Sequence, residues 1–248
     1  MRALRMELKK ARRRYDLPVA ALIGVFVLIA AANSGPRTAD DQASGWSALL
    51  YGLPLINTIV MPIGMAVLAS RIWDVETKGN GCRFLFTLQS RPDLFRGKLL
   101  LGLLENLLIC AIEFVGLLAI GARGGFTEPL NVARFLWLLC CTFLVNAMLY
   151  LAGLWLGIRF ANQAPVLAAG MVGSLVGIFA AFMPELVSYF VPWGYYIPLG
   201  AVRMFWNPDT RLALYEPAPL RVWLLGVTLA LTALFFALGR RELLQKEV

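Results

Sequence analysis

The chain has 248 residues, 59% of them apolar and 15% charged, with a net charge of +8 and no histidine. Soluble domains carry about 45–50% apolar residues, so the composition excludes an ordinary soluble domain and indicates a polytopic membrane protein. The missing imidazoles exclude His-based catalysis and His metal sites, and basic residues flanking apolar runs face anionic lipid rather than nucleic acid.

Residues 1–16, MRALRMELKKARRRYD, place Leu4, Leu8, Ala11 and Tyr15 at helical spacing among seven Lys and Arg. This pattern predicts an amphipathic helix lying on the cytoplasmic leaflet. Such a leader either touches a cytoplasmic partner or only orients the first span, and both readings stand. The rest, residues 17–248, reads as one permease domain with spans at about 17–32, 46–73, 99–120, 130–158, 165–183 and 220–238. Each is near the length that an α-helix needs to cross a hydrocarbon core of roughly 30 Å. A cleaved secretory signal competes for the first span, with Ala30, Ala31 and Ala32 as the small residues before the cut. Keeping it gives six crossings, which serves the downstream topology better. Pro54 and Pro62 predict a bend in the second span, where the carbonyls they free need other partners.

Between the second and third spans lies a charged stretch, residues 74–98, DVETKGNGCRFLFTLQSRPDLFRGK. Isolated charges are costly in lipid, so this block is expected in water. Counted over loops and ends, seventeen of the 23 Lys and Arg fall on the side of the termini and of this block. By the positive-inside rule that side is the cytoplasm.

From Pro184 to Pro219 six of the thirteen prolines gather with many aromatic residues. Proline breaks a straight helix and aromatic rings favour the membrane interface, so short broken helices dipping into the outer leaflet are expected. Trp193, Tyr195, Tyr196 and Trp206 are the candidates for an outer gate; the alternative is an aromatic belt that anchors the loop.

Within the apolar runs, Asn57, Glu105, Asn106, Glu113 and Asn146 are the polar side chains able to line a translocation path, because intramembrane carboxylates and amides usually serve a function or a helix contact. Glu105 and Glu113 stand eight residues apart, about 80° around a helix and roughly 12 Å along it. They line a path or carry a proton in one reading and pack between helices in the other. Gly153 with Gly157, and Gly173 with Gly177, form two GxxxG pairs for close helix approach, either at a dimer face or within the chain. No phosphate-binding GxxxxGK[ST] occurs, nor HExxH, GxSxG or a metal-spaced cysteine cluster. Cys82, Cys110, Cys140 and Cys141 read as free thiols.

The central block resembles the loop between the second and third spans of type 2 ATP-binding-cassette (ABC-2) exporter permeases. The acidic residue after the second span, the short helix, the proline and the re-entering lysine correspond to Glu76, the segment 82–89, Pro92 and Lys98. The leader, the six spans, the aromatic proline-broken segment and the tail GRRELLQKEV follow in the same order. The resemblance implies an all-α polytopic fold and a coupling helix that docks into a separate ABC ATPase, with Glu76, Lys78, Arg83, Phe84, Phe86, Gln89, Arg91 and Pro92 at the junction. It also implies a dimer with a second copy or a sister permease, with no cofactor in this chain and with ATP and Mg bound by the ATPase dimer. The location it implies is the bacterial inner membrane with both termini cytoplasmic. The stretch WGYYIPL (193–199) and the tail are similar to the lantibiotic-immunity and bacitracin-resistance permeases, whose cargo is antimicrobial peptide. A lipophilic-drug exporter, a lipid or glycan exporter, a non-transporting scaffold and a lipid-modifying membrane enzyme are the alternatives.

Overall fold

The computed structural model describes residues 2–33, 42–77, 90–160, 162–208 and 212–246. Helix α1 (Arg2–Arg14) turns Glu7 and Ala11 inward, both buried, and leaves Met6 exposed. Tyr15 follows with φ 58°, a left-handed residue that turns the chain into the first long helix. Six helices are long and apolar enough to cross a membrane: α2 (Asp16–Asn33), α3 (Gly45–Thr77), α4 (Arg91–Arg123), α5 (Val132–Phe160), α6 (Gln163–Ala181) and α8 (Val222–Gln245). The short helix α7 (Glu185–Ser188) and a 3-10 turn at Pro192–Gly194 lie between α6 and α8.

About two thirds of the most apolar window is buried in α5 (67%) and α3 (61%) but only 17% in α8, so α3 and α5 form the centre and α8 lies at the edge. Both proline positions of α3 remain within one helix. Thr58 Oγ1 donates to the Pro54 carbonyl at 2.8 Å, and Ser174 Oγ of α6 donates to the Ile59 carbonyl at 2.7 Å. The carbonyls that Pro54 and Pro62 leave without an amide donor are those of Leu50 and Thr58, so these hydroxyls reinforce neighbouring carbonyls rather than the freed ones. Helices α4 and α5 approach closely because Gly102 has no side chain: a Cβ there would lie within the ring of Tyr150, which is 1% exposed. Gly102→Val overpacks this contact, and we expect it to destabilise the protein by at least about 1–3 kcal/mol, read as a fall in the unfolding temperature of the detergent-purified protein.

Both GxxxG pairs are used inside the chain. Gly153 faces Ala69 and Ala66 of α3, and Gly157 faces Trp73; Gly173 seats the indole of Trp193, and Gly177 lies against the backbone of Gly194.

Two features differ from the sequence expectation. The helix that carries the third span begins before residue 99: Ser90 caps α4, its Oγ accepting from the Asp93 amide, and Pro92 stands in the first turn where its missing N–H costs nothing. With α3 running to Thr77, the charged block is helical at both ends, and only residues 78–89, including the expected coupling helix and Lys78, Arg83, Phe84, Phe86 and Gln89, lie outside the described residues. The second difference is a β-hairpin where broken helices were expected. Strands β1 (Val202–Asn207) and β2 (Leu212–Pro217) pair antiparallel, with Met204 opposite Tyr215 and Trp206 opposite Ala213. The aromatic and branched residues of VRMFWN favour a strand, and Asn-Pro-Asp after it is a turn signal.

Candidate functional site

The two ends of the charged block meet at the end of the bundle that holds both termini. Lys98 is fully buried, yet its ammonium donates to Glu76 Oε1 at 2.9 Å and to the Ile72 carbonyl at 2.9 Å. The leader supplies the rest of the cluster. Lys10 Nζ donates to Glu7 Oε1 at 2.9 Å and to Glu76 Oε1 at 2.8 Å, and Glu7 Oε2 lies 3.8 Å from Lys98. Trp73 turns its ring toward both Lys98 and Lys246, whose ammonium groups lie 5.6 and 5.3 Å from its centroid. Beside this quartet a second set forms around Asp16, which is buried and accepts from Arg14 Nε at 2.8 Å and from Arg71 Nε at 3.3 Å. Arg71 also donates to the Arg14 carbonyl at 2.5 Å, closing the turn at Tyr15. Burial lowers the pKa of Lys10, but hydrogen bonds to Glu76 and Glu7 outweigh it and hold the ammonium above its ordinary value.

The sequence expectation that the whole block stays in water is therefore corrected at its two ends. Glu76 is 1% exposed and Lys98 0%, because α1 covers them with opposite charge. Of the residues named for ATPase coupling, Glu76 lies inside this cluster. Arg91 and Pro92 form the half-buried start of α4, where Arg91 donates to the Leu244 carbonyl. Glu7, Lys10, Asp16 and Arg71 were missed as members of the site. Their sequence signal was acidic residues inside an otherwise basic, helix-patterned leader.

The path candidates divide into two groups. Asn106, Asn146 and Tyr196 form one hydrogen-bonded chain: Tyr196 Oη donates to Asn146 Oδ1 at 2.6 Å, Asn146 Nδ2 to Asn106 Oδ1 at 2.9 Å, and Asn106 Nδ2 to the Phe143 carbonyl at 2.9 Å. The structure thus joins two path candidates to an outer-gate candidate. Asn57, Glu105 and Glu113 are fully buried as well. The Glu113 carboxyl interacts with the Asn57 side chain but does not reach hydrogen-bond geometry, and neither oxygen of Glu105 has a hydrogen-bond partner among the described residues. The helix face bearing Glu105, Asn106, Ile109, Cys110 and Glu113 is buried inside the chain.

At the other end of the bundle, the gate candidates are mixed in exposure. Tyr195 and Tyr196 are 2% exposed, Trp193 is seated on α6, and Trp206 is 60% exposed on β1. Side chains that sequence reading missed hold this segment. Arg134 Nη1 donates to the carbonyls of Ala201 and Ala218 at the base of the hairpin, Trp137 Nε1 donates to the Leu199 carbonyl at 2.9 Å, and Arg221 Nη1 donates to the Pro198 carbonyl at 2.6 Å. Arg134→Ala removes the side-chain donor from both carbonyls, of which Ala201 keeps the Ala218 amide at 2.9 Å, and we expect amide exchange in residues 202–207 and 212–217 to accelerate by about tenfold, with a smaller change in α3 and α5.

Among the described residues no group of His, Cys, Asp and Glu could hold a metal ion. Comparison with individual curated proteins gives no match. A family model described as ABC-2 family transporter protein matches residues 3–191, which take in the leader, the first five spans and the start of the segment beyond them. The chain, six spans with a charge cluster gathered at the end of its termini, belongs to the ABC-2 transporter family and is the membrane-spanning permease component of an ABC transporter, a role that implies an ABC ATPase partner.

Proposed function

We propose that the protein is the permease subunit of an exporter in the bacterial cytoplasmic membrane. It pairs with a second copy or a sister permease, and ATP hydrolysis by a dimeric ABC ATPase, which binds the ATP and Mg, drives an amphipathic molecule outward. The cargo class that fits the resemblance of the 193–199 stretch and the tail is an antimicrobial peptide of the lantibiotic kind, with a lipophilic drug as the neighbouring case. The positive-charge bias supports placing the termini, and hence the charge cluster, in the cytoplasm.

One observation carries the reading. Residues 78–89 are strung between Glu76 and Lys98, and those two side chains are hydrogen-bonded at 2.9 Å and clamped by the leader. A push on the loop cannot move α3 without α4 and α1, because separating the buried charges costs several kcal/mol. ATPase closure would then reach the helix centre as a rigid-body displacement, and the Tyr196–Asn146–Asn106 chain would pass it to the far segment.

The test begins with affinity purification in mild detergent, from which an ABC ATPase should copurify. Arg83→Glu in the loop should leave that complex intact but cut permease-dependent ATP hydrolysis and peptide resistance by tenfold or more. Full resistance in that variant, or the absence of any ATPase in the purified complex, overturns the reading.

A further inference from the structure

A cleft of about 440 Å³ opens at the end away from the termini, a size that accommodates small ligands. One wall is α3 through Tyr51, Pro54 and Leu55; the opposite wall is the end of α6 and the first strand, through Phe182, Met183 and Met204. The lip carries exposed apolar side chains, with Phe182 82% and Met183 57% exposed.

Three charges stand at its mouth. Glu185 receives Arg203 Nη2 on both oxygens, at 3.1 and 3.4 Å, and also pairs with Arg221. Two guanidinium groups thus share the Glu185 carboxylate, with Glu216 opposite Arg203 in the hairpin as the next acidic group. Arg203 and Glu185 are each close to half exposed, so their pair is weak and exchangeable. Arg221 is only 11% exposed and fixed by the Pro198 carbonyl and by the ring of Tyr189, 5.7 Å away, so it is a standing cation that does not leave. Guanidinium forks match phosphate oxygens as well as carboxylates. The Glu185 carboxylate therefore occupies the position that an external anion would take.

We propose that this cleft binds an anionic phospholipid from the leaflet on that side, its acyl chain lying between α3 and Met204 and its phosphate displacing Glu185 from Arg203. The groups offered to a ligand are guanidinium forks, which match an anion rather than a cationic peptide, so the site is distinct from the cargo proposed above. Its occupant would bridge α3 and the hairpin and hold the far segment in its closed arrangement.

The experiment uses the full chain without ATPase, so it does not depend on the transport reading. Protein in detergent is mixed with phosphatidylglycerol or phosphatidylcholine of the same acyl chains, and retained lipid is counted by native mass spectrometry. The expected result is several-fold greater retention of phosphatidylglycerol. Arg203→Ala should remove that preference, while Glu185→Gln, which frees both guanidinium groups, should increase it, a gain that a merely unfolded variant cannot give. Leu55→Trp should fill the cleft and reduce retention of either lipid. Equal retention of the two lipids by the wild type, or an unchanged preference in Arg203→Ala, overturns the proposal. Abolition of lipid retention by millimolar inorganic phosphate would make the site one for free phosphate and overturn it as well.

Discussion

Lys98→Ala should cost the folded protein about 3–5 kcal/mol, the usual penalty for removing one partner of a buried ion pair. The side chain is fully buried and its ammonium faces Glu76 at 2.9 Å and Glu7 at 3.8 Å. Without it, two buried carboxylates share the single ammonium of Lys10, and the Ile72 carbonyl loses its side-chain donor. The variant should accumulate poorly and unfold at a temperature well below the wild type, both visible by fluorescence-detected gel filtration after a heating series. The compensating variant separates charge from packing. Lys98→Met together with Glu76→Gln removes one charge of each sign, keeps the volume and leaves the Lys10–Glu7 pair intact, so most of the lost stability should return. A Lys98→Ala protein as stable as wild type would mean that the cluster is hydrated, and the rigid link between α1, α3 and α4 would fail with it.

The compensated variant also bears on coupling. It restores stability without restoring the ionic lock between the two ends of the charged block. If force travels through that lock, permease-stimulated ATP hydrolysis should stay low although the protein is folded. Full stimulation would assign the cluster to folding alone.

Six spans were legible because hydropathy over about 20 residues is a property of the local sequence, and lipid leaves the backbone few alternatives to a helix. The cluster was not legible in the same way. Lys10 and Glu76 are 66 residues apart, and nothing in the local pattern of either says that they meet. A charged block next to a span reads as wet when each charge is considered alone. Its two ends, Glu76 and Lys98, are buried here because the leader brings Glu7 and Lys10 over them. The hairpin was misjudged for a related reason: prolines and aromatic rings in 184–219 were taken as signs of broken helix, while the short strand VRMFWN, six residues in a longer aromatic stretch, carries little periodic signal of its own. Arg134 and Arg221 were counted only as charges on the outer side. Their structural work, donating to carbonyls of a segment distant in sequence, depends on the fold that brings those carbonyls to them.

The polar chain through the centre supplies the second large effect. Asn146→Leu keeps a side chain of similar volume but strands the Tyr196 hydroxyl and removes the donor to Asn106 Oδ1. Each stranded buried group costs about 1–3 kcal/mol, so a loss of roughly 2–5 kcal/mol is expected. Tyr196→Phe strands only Asn146 Oδ1 and should cost about 1–3 kcal/mol by the same rule. In the double variant the hydroxyl that Asn146→Leu would orphan is absent, so the combined cost should fall short of the sum by 1 kcal/mol or more. Urea or thermal unfolding of the four proteins in one detergent measures that difference. Interhelical hydrogen bonds within membranes average only about 0.6 kcal/mol, so a deficit above 1 kcal/mol requires the chain to act as a unit rather than as separate contacts. Strict additivity would leave the far segment held by contacts such as Arg134, Trp137, Arg221 and the seat of Trp193 on Gly173, and motion arriving from α4 would then not pass through the Asn106–Asn146–Tyr196 chain.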